Sequence, residues 1–207
     1  MHRLQRDWLK RLGTAPFGME VLLAELSDFS QPAQKIRQLV SQGVLVRLKR
    51  GMFCVSPDYS GMNVDVRKVA NILYGPSYVS FETMLAGYGL IPERVVETIS
   101  AVTGRGKRFM TPVGRFIYRT VPASTFALGV RSVEGAMVAS PEKALCDFLD
   151  SRSGLRISSP RSLRTYLEED VRFDFDAFED PDLRIFSAYA ASGRKSNLFK
   201  ALERMFS

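Results

Sequence analysis

The sequence predicts an α+β fold in which three short helices and a hairpin are followed by a longer mixed α+β domain that ends in helices. Three observations favour it. Apolar residues recur at helical spacing in the first part of the chain, β-branched and aromatic residues dominate the middle, and helical spacing returns from Pro141 onward. Because the chain is long enough for two small hydrophobic cores, we expect two domains, at residues 1–57 and 64–207.

Two helical patterns open the chain. One apolar face includes Trp8 and Leu12 and stops at Gly13, and a second apolar face runs from Met19 to Leu26. Neither helix can bury its apolar face alone, so they should share one small core with the next helix and the hairpin. Such a core of about 55 to 60 residues is near the lower limit for independent folding. We therefore expect Trp8 in that core.

The third helix carries the most informative pattern. Ser30 is expected to cap it, and Pro32 to lie in its first turn, where a missing N–H costs nothing. Ile36 and Leu39 mark its buried face, whereas the opposite face is basic and rich in amides. The residues expected on or beside that exposed face are Gln31, Gln34, Lys35, Arg37 and Gln38.

A hairpin with a cationic tip follows this helix. Gly43 supplies the left-handed residue that ends the helix. Over residues 44–49, Val44, Val46 and Leu48 then alternate with the other three residues at the period of a strand, and a Lys-Arg-Gly turn follows. The cations expected in the hairpin are Arg47, Lys49 and Arg50.

Three helices followed by a basic hairpin are typical of a winged helix-turn-helix that binds double-stranded DNA. In the major groove, amide side chains pair with adenine and Lys or Arg pairs with guanine. A cationic hairpin suits the adjacent phosphates or the minor groove. The alternative is a solvated amphipathic helix before an ordinary hairpin, but the order of parts favours DNA binding. Repressors of the helix-turn-helix class usually bind inverted repeats in DNA. We therefore expect two protomers per binding site.

Charge is distributed unevenly along the chain, whose net charge is +7. Residues 1–60 contain 9 Lys/Arg and 5 Asp/Glu, residues 61–119 contain 8 and 4, and residues 120–207 contain 12 and 13. An excess of cations confined to the first 119 residues is what a polyanion-binding surface would produce, although a pI near 9.6 alone also fits many proteins that bind no nucleic acid.

The second domain is expected to begin after a turn-rich linker at residues 56–63. A helix should follow at residues 66–73, then strands at 95–103, 114–121 and 135–139, and helices from Pro141 to the end. The loop between the first two strands contains Arg105, Lys107 and Arg108. It is either a flexible hairpin tip exposed for solubility or a second patch that contacts DNA phosphates.

The composition also predicts where the protein resides and how its cysteines behave. No apolar run approaches the roughly 18 residues of a membrane span, and the first residues lack the apolar core of a signal peptide, so we expect a cytoplasmic protein that binds no membrane. Cys54 and Cys146 lie in apolar surroundings far apart in the sequence. Buried free thiols are therefore expected rather than a disulfide or a metal site.

The sequence favours a protein that is not an enzyme and that has no catalytic residue, metal site or cofactor. His2 is the only histidine, and no phosphate-binding loop or complete dinucleotide fingerprint is present. One cluster of acids could serve metal-dependent hydrolysis: Asp174, Asp176, Glu179, Asp180 and Asp182. Because three phenylalanines and a proline are interleaved with these acids, a solvated turn between helices is the favoured interpretation.

Five segments, in order and from both halves of the chain, carry a resemblance to a known family: residues 45–53 (LVRLKRGMF), 78–85 (YVSFETML), 88–93 (YGLIPE), 111–116 (TPVGRF) and 139–147 (ASPEKALCD). They resemble the AbiEi family, which comprises antitoxins and predicted transcriptional regulators of AbiE-type, type IV toxin–antitoxin systems in phage defence. The series of five is much more specific than the hairpin segment alone, which many winged helices share.

The resemblance implies a winged helix that binds the promoter of its own operon and represses it, and a C-terminal domain that confers antitoxicity and assists DNA binding. The partner reading frame would encode a nucleotidyltransferase-like toxin, with which no stable complex is expected. The residues that would face the groove are Gln34, Lys35, Arg37 and Gln38, with Lys49 and Arg50 in the wing. The alternative is a DNA-binding protein whose C-terminal domain has its own enzymatic activity on the toxin or its RNA substrate.

The later segments carry no residue roles by resemblance, and their residues indicate helix starts. Ser140 is expected to cap a helix, with Pro141 as the first helical residue. Glu142 follows, where a negative charge is stabilised by the positive end of the helix dipole. Ser80 precedes Phe81 and Glu82 in the same way but without the proline. Both serines are therefore expected to cap helices rather than to take part in chemistry.

Overall fold

The computed structural model describes residues 3–192 and 194–207, with side chains described from Trp8 onward, and shows a mixed α+β fold with helices at both ends. His2 lies outside the described residues. The helices are α1 Arg3–Leu12, α2 Met19–Glu25, α3 Pro32–Ser41, α4 Pro57–Ser60, α5 Val66–Leu73, α6 Phe81–Gly87, α7 Pro141–Ser151, α8 Pro160–Thr165, α9 Leu183–Ala191 and α10 Ser196–Phe206. None of the described helices combines the length and the apolar character needed to cross a membrane.

The strands form two sheets. They are β1 Phe17–Gly18, β2 Leu45–Lys49, β3 Met52–Val55, β4 Ser77–Val79, β5 Glu97–Val102, β6 Lys107–Thr111, β7 Gly114–Thr120, β8 Val130–Val133 and β9 Ala136–Ala139. The first sheet has the order β1-β3-β2, and the second has the order β6-β7-β5-β4-β9-β8. The two sheets lie in different parts of the chain, and each is accompanied by its own cluster of buried apolar side chains.

The N-terminal part contains α1 to α3 and the β2–β3 hairpin around the smaller cluster. Trp8 is 6% exposed and belongs to this cluster, which confirms the prediction that it is a core residue. The strict alternation predicted for the hairpin is wrong. The register of β2 against β3 shifts between Arg47 and Lys49, and the extra residue in β2 lets both Leu45 and Leu48 be buried.

Helix α3 begins one residue later than the predicted cap implies. Its N-cap residue is Gln31 rather than Ser30, no side chain caps the helix, and Pro32 occupies the first turn as predicted. The backbone carbonyl of Gln31 accepts hydrogen bonds from the N–H groups of Gln34 and Lys35, both at 3.1 Å. The prediction failed at Ser30 because the proline sets where the helix can begin.

The larger sheet contains an edge strand that the sequence pattern does not indicate. Strands β5 and β7 run parallel, paired from Glu97 opposite Arg115 to Val102 opposite Thr120, and β6 lies antiparallel on the outer side of β7. The prediction of a loop over 104–108 is therefore wrong for Lys107 and Arg108, which begin β6. The strand was hidden because cations and a methionine replace the usual apolar residues of a strand at this exposed edge.

The helices of the second half pack around this sheet. Helix α6 lies against β5 and α7, whereas α10 packs on α8 and α9. Helix α8 changes after Thr165 into a π-helical turn at Tyr166–Asp170. Four phenylalanines then close this end of the core through edge-to-face and tilted ring contacts: Phe173, Phe175, Phe178 and Phe206.

The hairpin also contacts the second half of the chain. Leu48 and Cys54 pack in the larger apolar cluster although they lie in β2 and β3. The segment predicted as a linker contains the single-turn helix α4, and the Thr14 hydroxyl donates to the carbonyl of Asn63 at 3.1 Å. The hairpin therefore contributes to both apolar clusters.

Both cysteines are buried free thiols, as predicted. Burial raises the pKa of Cys54 to about 11 and that of Cys146 well above its usual value. Since the thiolate is the reactive form, we expect neither cysteine of the folded protein to react with Ellman's reagent at about pH 8, and both to react in denaturant. Rapid labelling of either thiol in the native protein would contradict this expectation.

Candidate nucleic-acid interface

Helix α3 turns one side to the core and the other to solvent. Ile36 and Leu39 are 4% and 2% exposed. Because about 3.6 residues make a turn, Gln34, Arg37 and Gln38 lie on the opposite side, and all three are exposed. Three of the five residues predicted for the exposed face therefore present long polar side chains to solvent from one helix.

The other two predicted residues of this face, Gln31 and Lys35, have different surroundings. Gln31 is exposed but precedes the helix as its N-cap residue. Lys35 is half-buried, with its ammonium group 5.5 Å from the ring centre of Phe29 and donating to Gln38 Oε1 at 3.2 Å. Lys35 therefore helps to orient Gln38 at the edge of the exposed face.

A cleft of about 570 Å³ separates α3 from the hairpin. Its rim carries Arg37 from α3 and Arg47 and Arg50 from the hairpin, and all three are exposed. Arg47 Nε donates to the carbonyl of Lys49 at 3.4 Å, a contact that restrains its side chain. The apolar lining of the cleft consists of Met19, Ala33, Ile36, Val40 and Phe53. The fold thus brings three arginines to one cleft. The outermost two, Arg37 and Arg50, are 13 residues apart in the sequence.

Lys49 lies apart from the other two cations of the hairpin. Its Nζ donates to the carbonyl of Leu73 at 2.5 Å, at the C-terminal end of α5. The free carbonyls and the negative end of the helix dipole stabilise a cation at this position. Lys107 lies beside the same helix end, with its Nζ 4.3 Å from the ring centre of Tyr74. The ammonium group of Lys49 is therefore engaged within the protein and anchors the hairpin to α5.

The cations predicted as a second DNA patch lie along the edge strand β6 and the loop before it. Arg105 is exposed in that loop, where its carbonyl accepts a hydrogen bond from the Tyr74 hydroxyl at 3.1 Å. Lys107 and Arg108 are exposed at the start of the strand. Strand β6 comes close to β2. Because successive residues of a strand face opposite sides of the sheet, Lys107 lies on the face of Tyr118 and Arg108 on the other face, so the three cations surround one sheet edge near the hairpin rather than share a single face.

The register of the larger sheet adds one cation on the face of Arg108. Arg108 pairs with Ile117, and Arg115 lies two residues before Ile117 on the same face of β7. Arg115 is exposed. The alternation of Arg115, Ile117 and Arg119 in the predicted strand was the signal that could have identified it.

Some arginines with described side chains have an ion-pair partner, and others in both halves of the chain, such as Arg131 and Arg161, have no described carboxylate within 4.0 Å. Many arginines of the second half have a carboxylate within 4.0 Å: Arg67, Arg119, Arg152, Arg164, Arg172, Arg184 and Arg194. Among the residues with described side chains, no carboxylate lies that close to the three arginines of the cleft or to the cations of the second patch. Their charges are thus left to attract an external anion.

A buried polar network joins two of the segments that carry the family resemblance. Lys143 is 0% exposed and Asp147 1% exposed, and their side chains form an ion pair of 3.0 Å within α7. Lys143 Nζ also donates to the Thr125 carbonyl at 2.8 Å. The second carboxylate oxygen of Asp147 accepts from Tyr78 at 2.9 Å and from Ser80 at 2.7 Å. The sequence pattern predicts only helix starts at these segments.

Tyr189 of α9 completes the network. Its hydroxyl donates to Asp147 Oδ1 at 2.5 Å and accepts a hydrogen bond from Lys143 Nζ. Burial, together with the Asp147 carboxylate, raises the pKa of Tyr189 and of Tyr78 far above the usual value, so both remain hydrogen-bond donors. Since these side chains have almost no exposed surface, the network holds β4, α7 and α9 together rather than presenting a site to solvent.

Of the two predicted serine caps, one forms. Ser140 caps α7 as predicted, because its hydroxyl accepts from the Lys143 N–H at 3.2 Å. Ser80 is the N-cap residue of α6, but its side chain makes no capping bond and donates to Asp147 instead. The predicted cap at Ser80 is therefore wrong, since the hydroxyl is directed into the core, where it donates a charge-assisted hydrogen bond to the buried carboxylate instead of accepting one from a helical N–H.

The first and last acids of the cluster, Asp174 and Asp182, serve as local turn and cap residues. Asp174 Oδ1 accepts from the N–H groups of Asp176 and Ala177 at 3.0 and 3.1 Å. Asp182 caps α9 by accepting from the N–H of Arg184 at 3.1 Å. Among the residues that the structure describes, no group of three or more His, Cys, Asp or Glu side chains is arranged to hold a metal ion.

Comparison with known proteins adds no relative. No protein-family model matches the chain, and no curated protein is significantly similar to it.

Proposed function

We propose that the N-terminal 57 residues are a winged helix-turn-helix that binds double-stranded DNA, with α3 as the recognition helix and the β2–β3 hairpin as the wing. The observation that carries the proposal is the position of Arg37, Arg47 and Arg50. Helix and hairpin contribute these arginines to one cleft, and no described carboxylate neutralises them. A duplex placed against this cleft would supply the missing anions from its phosphates.

In this arrangement α3 enters the major groove. Gln34 and Gln38 are exposed on its outer face and would contact base edges, while Arg37 and Arg50, which line one cleft, would contact phosphates on the hairpin side of the helix. Lys49 is a structural residue of the wing, because its ammonium is bound to α5. The second patch, Arg105, Lys107 and Arg108, extends the phosphate contacts beyond the wing. Two protomers occupy one inverted repeat.

We further propose that the protein is an antitoxin and autorepressor of the AbiEi type. This part depends on the five sequence segments and on their order. Such a protein binds inverted repeats in the promoter of its own operon, acts in the cytoplasm, and counteracts a nucleotidyltransferase-like toxin without forming a stable complex with it. A neighbouring reading frame for a nucleotidyltransferase-like protein would support the assignment, and its absence from the operon would count against it.

The DNA proposal predicts a strong dependence of affinity on salt. Titration of the full chain onto a promoter duplex between about 50 and 200 mM salt should give a linear plot of log K against log salt, with a slope of roughly 0.9 per phosphate contact. Five or more contacts are expected, because α3, the wing and the second patch all carry exposed cations. The scrambled promoter sequence is the control. Equal affinity for both duplexes, or no binding to either, would contradict the proposal.

A further inference from the structure

The cleft between α3 and the hairpin has a chemistry that DNA phosphates alone do not match. Phosphates would satisfy the arginines of its rim, but the lining below them is apolar: Met19, Ala33, Ile36, Val40 and Phe53. The volume of about 570 Å³ lies within the range of about 300 to 1,000 Å³ for small-molecule sites. An apolar body would occupy this lining, and an anionic group would lie against the guanidinium groups.

We propose that the cleft is a binding site for an amphipathic organic anion, an aromatic or aliphatic molecule with one carboxylate or sulfonate group. A neutral apolar ligand would leave the positive charges of Arg37, Arg47 and Arg50 without partners. Inorganic phosphate would leave the apolar lining in contact with water. Only a ligand with both features matches the rim and the lining together.

Binding of such a ligand opposes binding of DNA. The ligand lies between the helix and the hairpin and engages the guanidinium groups that would contact phosphates. This consequence rests on the proposed function, whereas ligand binding itself rests on the cleft. The coupling is reciprocal, so DNA should lower the affinity for the ligand by the same factor as the ligand lowers the affinity for DNA.

A pair of matched dyes tests the site in the full chain. The fluorescent probe 1-anilinonaphthalene-8-sulfonate has an aromatic body and one sulfonate, and N-phenyl-1-naphthylamine is its neutral analogue. We expect the sulfonate to bind with a Kd about tenfold or more below that of the neutral dye, and decanoate to displace it. Equal binding of the two dyes would overturn the proposal, and so would an absence of sulfonate binding.

Substitutions at the cleft locate the bound dye. Arg47→Ala and Arg50→Ala should each raise the Kd of the sulfonate by about tenfold. Ala33→Trp should abolish binding by filling the cleft. Lys35→Ala is the matched control, because Lys35 lies on the same helix but does not line the cleft. The arginines are exposed, so their variants should fold even if Ala33→Trp does not. Unchanged dye affinity in both arginine variants would overturn the proposal.

Competition with DNA separates this proposal from the proposed function. Dye binding that depends on the arginines, in a protein with no affinity for promoter DNA, would support the ligand site and contradict DNA binding. Sequence-specific DNA binding with no dye binding would support DNA binding and contradict the ligand site. If both bind, decanoate should weaken DNA binding at constant ionic strength, with sodium acetate as the control salt, and equal effects of the two salts would overturn the competition.

Discussion

Replacement of Asp147 by alanine is expected to lower the free energy of unfolding by about 3 to 5 kcal/mol, because it leaves a buried ammonium group without its partner. Lys143 is 0% exposed, so water cannot solvate it in the folded chain. Tyr78 and Ser80 would also lose the oxygen to which they donate. Urea unfolding monitored by circular dichroism measures the loss.

The chain offers a matched control for this prediction. Arg164 and Glu168 form an ion pair with the same spacing of four residues and a distance of 2.8 Å, but both side chains are about half exposed. Glu168→Ala should therefore cost only about 0.5 kcal/mol or less. The double variant Lys143→Met/Asp147→Leu should recover part of the loss, since it leaves no unpaired charge. An equal loss of unfolding free energy in Asp147→Ala and Glu168→Ala would contradict the prediction that burial determines the cost of breaking an ion pair.

Reversal of charge at Arg37 and Arg50 is expected to reduce the affinity for promoter DNA by about 100-fold or more at moderate salt. The double variant Arg37→Glu/Arg50→Glu removes two unpaired cations from the rim of the cleft and places carboxylates where the phosphates would lie. The magnitude of the salt slope should fall by about 2, because two phosphate contacts are lost. A mobility-shift titration at several salt concentrations measures both quantities.

A charge reversal elsewhere controls for the change in net charge. Arg161 is exposed on α8, outside the basic surface, so the variants Arg161→Glu and Arg161→Glu/Arg156→Glu should bind DNA with nearly the affinity of the original chain. Lys35→Glu should have a smaller effect than Arg37→Glu, because Lys35 is half-buried and bonded to Gln38. If the Arg161/Arg156 double reversal lost as much affinity as the cleft variant, binding would reflect net charge rather than this interface.

Local features of the fold could be predicted from the sequence, because neighbouring residues determine them. Periodic apolar residues and a proline predicted α3 to within a residue, and Ser140 before Pro141 predicted the start of α7. The burial of Trp8 and of both cysteines followed from their apolar surroundings. For the candidate site, helical spacing was enough to place Gln34, Arg37 and Gln38 on an exposed face, since it depends only on the geometry of one turn.

Contacts between distant segments were decided only by the tertiary structure. The sequence could not show that Lys49 is bonded to α5, because its acceptor is the carbonyl of Leu73, 24 residues away. Nor could it show that Lys107 and Arg108 begin an edge strand, since that strand is defined by its pairing with β7.

The cleft and the buried network both form where the fold brings separate segments of the chain together. Arg37 and Arg50 border one cleft because the hairpin folds back beside α3. Lys143 and Asp147 are neighbours on one helix, but their partners Tyr78 and Tyr189 are 69 and 42 residues from Asp147. Residue types and helical spacing thus determined which side chains were charged and which faces were exposed. The packing of the chain decided which of those charges are neutralised inside the protein and which remain at its surface.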